Sequence, residues 1–110
     1  MNPPSKLVLL VEDDLLLQQA LEKFLGIHGF TVVTVTTANE ALAVIRESAL
    51  AAAIVDLNLP QGNGRDVVAA VPQPVPVIIF SGVPKQAAGI DKTRPNTRLF
   101  AKPYSLMLLV

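Results

Sequence analysis

Three segments of the chain, KLVLLV at Lys6–Val11, AAIVDL at Ala52–Leu57 and VPVIIF ending at Phe80, are apolar at nearly every position instead of every second one. A strand with one wet face alternates in polarity, so continuous runs of this length belong to strands covered on both faces, as in a parallel sheet flanked by helices. None approaches the roughly 18 residues needed to span a bilayer. Between the runs the period changes. Leu17, Leu21, Phe24 and Leu25, with Ala20 among them, recur at helical spacing from Leu15 onward, while Gln18, Gln19, Glu22 and Lys23 take the other side. Gly29 is a good terminator for that helix. Phe30–Thr36 is β-branched and strand-like. Thr37 and Glu40 then form a capping box that opens a helix through Ala41, Leu42, Val44 and Ile45.

Past the third strand, PQGNG reads as loop, with its glycines as turn chemistry. A short helix over Arg65–Ala70 ends before Pro72, Pro74 and Pro76, because proline lacks the amide a helix interior needs. The fourth strand reaches Phe80. A weak helix carries Pro84 in its first turn and Gly89 near its end, Thr97–Ala101 is a fifth, shorter strand, and Ser105 caps a last helix that is cut off at Val110. Alternation of this kind predicts an α/β fold with right-handed crossovers. Five strands favour the flavodoxin-like version, a three-layer sandwich with a parallel sheet in the order 2-1-3-4-5, helices on both faces and the last helix truncated. Residues 1–110 read as a single domain, since 110 residues leave no room for a second.

The charges narrow the class of partner. Nine basic and nine acidic residues cancel without forming a basic run, which gives no reason to expect direct nucleic-acid binding or attachment to an anionic membrane. The absence of cysteine excludes disulfides, thiolate metal sites and cysteine nucleophiles, and agrees with a reducing, cytoplasmic setting. The start MNPPSK has no apolar leader core.

In open α/β sheets, ligands bind beyond the carboxyl ends of the strands. The residues expected there are Glu12, Asp13 and Asp14 after the first strand, Asp56 and Asn58 at the third, Ser81 and Gly82 after the fourth, and Lys102 after the fifth. Each is ordinary by itself. Acids at 12–14 favour a helix amino end, Asp56 suits a loop start, Ser81–Gly82 a turn, and Lys102 a solvated surface. Brought together they are not ordinary, because two unit charges about 4 Å apart repel by roughly 4 kcal/mol at an effective dielectric near 20. The cluster calls for a divalent cation or for a proton held among the acids, with Lys102 offsetting part of the charge. Oxygen-only ligands without His or Cys point to Mg²⁺. A hydroxyl, an ammonium and a metal around one carboxylate are the parts needed to transfer a phosphoryl group to it, with Asp56 as the nucleophile.

The segments LVLLVEDD, AIVDLNLPQGNG, VIIFSG and FAKP, in this order and at these distances, resemble the receiver domain of bacterial two-component response regulators; GFTVVTVTTANEAL is similar to that family's second strand and helix. The resemblance implies that Glu12 and Asp13 are the metal-binding acid pair and Asp56 the phosphoacceptor. It likewise implies that Asn58 lends its backbone carbonyl to the metal, Ser81 is the switch hydroxyl and Lys102 binds the phosphate. The implied partners are a sensor histidine kinase or phosphotransfer protein as donor, and a downstream effector protein or an effector domain as recipient. The chain departs from the family pattern in having Leu99, not Tyr or Phe, three residues before Lys102, with Phe100 beside it. The apolar ending SLMLLV either continues in a longer chain or packs against a second copy as a homodimer contact. Two other functions compete: a degenerate receiver that binds its partner regardless of phosphorylation, and a small aspartyl-phosphate phosphohydrolase. Asn58 stands where such hydrolases carry a second acid.

Overall fold

The computed structural model describes residues 6–57, 59, 62–81 and 97–101; for Ser81, Leu99, Phe100 and Ala101 it describes the backbone alone. The elements follow in the order β1 (Leu7–Val11), α1 (Leu15–Ile27), β2 (Thr31–Val35), α2 (Ala38–Glu47), β3 (Ala52–Asp56), α3 (Gly64–Ala70), β4 (Val77–Ser81) and β5 (Thr97–Ala101). All pairings are parallel and the strand order is β2-β1-β3-β4-β5, the flavodoxin-like arrangement expected from the alternation. The weak helix around Pro84–Gly89 and the truncated helix after Ser105 lie outside the described residues.

The continuous apolar runs are explained by how the sheet divides its side chains. Val8 and Leu10 of β1, Ile54 of β3 and Phe80 of β4 pack with Leu17 and Leu21 of α1. Leu9 and Val11, Ala53 and Val55, and Val77 and Ile79 pack instead with Ala38 and Ala41 of α2 and Val67 and Val68 of α3. Successive residues of each central strand therefore enter opposite cores, and both sets must be apolar. Burying one such aliphatic side chain contributes about 1.5–3 kcal/mol. These two cores fix where the three central strands end.

The helix starts are set by local hydrogen bonds. Asp14 caps α1, its Oδ1 accepting from the Leu17 N–H at 3.2 Å. Thr37 caps α2: its Oγ1 accepts from the Glu40 N–H at 3.2 Å and donates to Glu40 Oε1 at 3.0 Å. The capping box is present, but the Glu40 carboxylate answers the threonine hydroxyl. At the other end of α1, Gly29 has a φ of 88° and the Phe30 N–H donates to the Leu25 carbonyl. Phe30 thus closes the helix instead of opening the strand, which corrects the longer β2 expected from Phe30.

Two further boundaries move, while β5 spans Thr97–Ala101 as expected. β5 has five residues, as many as the other strands, and is not shorter. Ser81 is the last residue of β4, in register with Ala101, and not the first beyond it. α3 begins at Gly64, with Asn63 as its cap accepting from the Arg65 N–H at 2.8 Å. The glycines read only as turn formers have tertiary roles. Gly62 has a φ of 96°, and a Cβ there would lie 2.4 Å from Ala38 Cβ. At Gly64 a Cβ would lie 2.5 Å from the Asp56 carbonyl oxygen and 2.7 Å from Leu57 Cα. Gly64 allows the start of α3 to press against the end of β3.

Candidate metal centre

The register of the central strands brings the acids together. Val11 pairs with Val55 across β1 and β3, so Glu12 and Asp56 continue the two strands side by side. Glu12 follows Val8 and Leu10 on the α1 side of the sheet, and Asp56 follows Ile54 on the same side. Carboxylate oxygens of Glu12, Asp13 and Asp56 all lie within 4.8 Å of one another. Glu12 and Asp56 are each 1% exposed, whereas Asp13 is exposed. The site therefore has two acids at its base and one at its rim.

Glu12 is tied at several points. Its N–H donates to the Val35 carbonyl at 3.1 Å, which joins the end of β1 to the end of β2. Its Oε1 accepts from the Asp14 N–H at 3.1 Å, and its carbonyl accepts from Gln18 Nε2 on the second turn of α1. Asp14 stands outside the carboxylate cluster and serves as the cap of α1. Asp56 is in register with Phe80 of β4, and the next residue of β3's continuation, Leu57, donates its N–H to the Phe80 carbonyl at 3.0 Å. The strand end carrying Asp56 is thus bonded to β4 and covered by Gly64.

At 4.8 Å and an effective dielectric near 20, each pair of charged carboxylates repels by roughly 3–4 kcal/mol. Two of the three groups are also withdrawn from water, where ionic groups are costly without compensating positive charge. An all-carboxylate donor set with one open side suits a hard, oxygen-seeking dication that retains waters. The three acids fit such an ion. Of the remaining residues expected here, Asn58 and Lys102 lie outside the described residues, and Ser81 is described only as the backbone residue one step past Phe80. The sequence reading did not single out Gln18 or Gly64, whose contacts to Glu12 and Asp56 are tertiary.

The profile of a family described as response regulator receiver domain matches residues 8–103. Regulatory protein VirG of Agrobacterium fabrum is 31% identical, with the match covering 92% of this chain and 42% of that protein. The transcriptional regulatory protein PrrA of Mycobacterium tuberculosis is 33% identical over 96% of this chain and 47% of its own length. Among solved structures, the receiver domain of the sensor histidine kinase PA1611 from Pseudomonas aeruginosa, which has a magnesium ion coordinated in its active-site cleft, superimposes with a TM-score of 0.70 at 23% identity, covering 96% of this chain and 91% of that one. The chain spans 30% to 47% of the length of the curated relatives it matches. No helix among the described residues is long and apolar enough to cross a membrane.

Proposed function

The chain belongs to the response regulator receiver domain family, and from that membership we propose that Asp56 accepts a phosphoryl group in a Mg²⁺-dependent reaction, from a sensor histidine kinase or a phosphotransfer protein. The observation that carries this reading is the meeting of Glu12, Asp13 and Asp56 within 4.8 Å at the carboxyl ends of two adjacent strands. We take residues 1–110 as one receiver unit.

In this reading Glu12, Asp13 and Asp56, with the Asn58 carbonyl, hold the cation. Bound there, magnesium supplies positive charge against both the acids and the incoming phosphoryl oxygens. Asp56, fixed by β3 and its neighbour β4, presents one Oδ to phosphorus; the new O–P bond forms as the P–N bond to the donor imidazole breaks. Ser81 and Lys102 bind the remaining phosphoryl oxygens. The product carries roughly −1.5 to −2 charges at neutral pH, enough to reorder the strand-end loops and change what an effector protein or domain binds. The chain is then a signalling domain whose only chemistry is its own phosphorylation and dephosphorylation. Incubation with a small acyl phosphate and Mg²⁺ should add one phosphoryl mass to the wild type and none to Asp56→Ala. An unmodified wild type at saturating Mg²⁺ would overturn the reading.

One feature favours a second reading, a receiver that binds its partner whether or not it is phosphorylated. Leu99 of β5, in register with Ile79 of β4, occupies the position three before Lys102 where the resemblance leads one to expect an aromatic ring. Equal partner affinity for phosphorylated and unphosphorylated protein would select this reading; a difference of tenfold or more would reject it.

A further inference from the structure

We infer that Gln18 is a positioning residue for the acid pair: its side-chain amide holds the Glu12–Asp13 peptide in the orientation that keeps both carboxylates beside Asp56. The inference rests on the reading of Glu12, Asp13 and Asp56 as the cation site.

Glu12 lies one residue beyond the last paired residue of β1, and Asp13 one further, before the helix begins at Leu15. This three-residue turn has to aim a buried and an exposed carboxylate at the same point. Its first half is anchored by the Glu12 N–H on Val35 and by the Glu12 Oε1 contact with the Asp14 N–H. Its second half is anchored by the Asp14 cap on Leu17. The plane between them, formed by the Glu12 carbonyl and the Asp13 N–H, moves as one rigid unit about the adjoining bonds. Rotating it swings the Asp13 Cα–Cβ bond and changes where that carboxylate points. Gln18 Nε2 donates to this carbonyl. The donor sits on α1, whose backbone is continuous with the Asp14 cap, the Gln18 N–H donating to the Asp14 carbonyl at 2.9 Å. One helix turn therefore grips both sides of Asp13. Gln18 is half-buried, while its neighbour Gln19 is exposed and serves as a control of equal chemistry.

The test uses Gln18→Met, which keeps length and helix preference but cannot donate; Gln18→His at a pH where the imidazole is neutral, which restores an uncharged donor of similar reach; and Gln19→Met. The Mg²⁺ dissociation constant is read from backbone amide shifts of residues 12–14, and the thermal midpoint is measured without Mg²⁺. Gln18→Met should bind Mg²⁺ about three- to tenfold more weakly, the range spanned by one net hydrogen bond. Its midpoint without Mg²⁺ should fall only modestly, as for the loss of one hydrogen bond, and Gln18→His should return to within about twofold of wild-type affinity. Unchanged Mg²⁺ binding by Gln18→Met, or weakened binding that Gln18→His fails to restore, would overturn the inference while leaving the cation site standing. A wild type that binds no Mg²⁺ would overturn both.

Discussion

A side-chain carbon on Gly64 would come within 2.5 Å of the carbonyl oxygen of Asp56, and within 3.2 Å of its carbonyl carbon. The atoms in the way are backbone, so no rotamer change can make room. Gly64→Ala should therefore destabilise the fold by about 1–3 kcal/mol, the usual cost of overpacking. Because the strain falls on the peptide of the proposed phosphoacceptor, Asp56, the substitution should also slow phosphorylation by a small acyl phosphate. Urea denaturation and the rate of mass gain check the two parts separately. A neutral effect on both would mean that α3 does not press on β3 as described.

The opposite result is expected at Gly26. It lies inside α1, is exposed, and has nothing within 4 Å of the position a Cβ would take. Gly26→Ala should stabilise the protein by roughly 0.5–1 kcal/mol through the lower backbone entropy of the unfolded chain. Loss of stability in thermal unfolding would contradict the environment assigned to this residue.

The proposed cation site predicts a stability that depends on Mg²⁺. At ten times its dissociation constant, a ligand that binds only the folded state adds about 1.4 kcal/mol. Asp56→Asn removes one charge from a trio in which each pair repels by roughly 3–4 kcal/mol. The variant should be more stable than wild type in Mg²⁺-free buffer, by at least about 1 kcal/mol, and should lose most of the Mg²⁺ response. Melting curves with and without Mg²⁺ decide this. A wild type more stable than Asp56→Asn in chelator would show that repulsion is not what the site must overcome.

Thr37 offers a test far from the acids. Its hydroxyl both caps α2 and meets the Glu40 carboxylate, so Thr37→Ala should cost about 0.5–2 kcal/mol. Thr37→Ser should cost much less. Equal losses for Ala and Ser would shift the explanation from the hydroxyl to the methyl group.

Much of this arrangement was legible because burial on two faces leaves a continuous signature. The residues of β1, β3 and β4 must be apolar for two cores at once, and β-branching gave β2 away even though only Val35 of its five residues is buried. The cap at Thr37 is local and was readable for that reason. What escaped notice depends on distant segments meeting. Gln18 and Glu22 read as the wet side of α1, yet Gln18 holds the Glu12 carbonyl and Glu22 accepts from the Thr34 hydroxyl. Gly64 read as turn chemistry because its neighbour Asp56 is eight positions away, and the contact exists only once α3 has folded back. Phe30 read as strand because its type suits one, but its amide is already engaged by Leu25.

The division of the central strands between two cores has a last consequence. Glu12 shares a side with Val8 and Leu10, and Asp56 with Ile54, by parity alone. Deleting a single residue from either strand would send one acid through to the layer of α2 and α3. Acids on opposite sides of a sheet cannot close around one ion. What this chain can do chemically is therefore tied to an odd-or-even count along two strands, a constraint no substitution at the acids themselves would reveal.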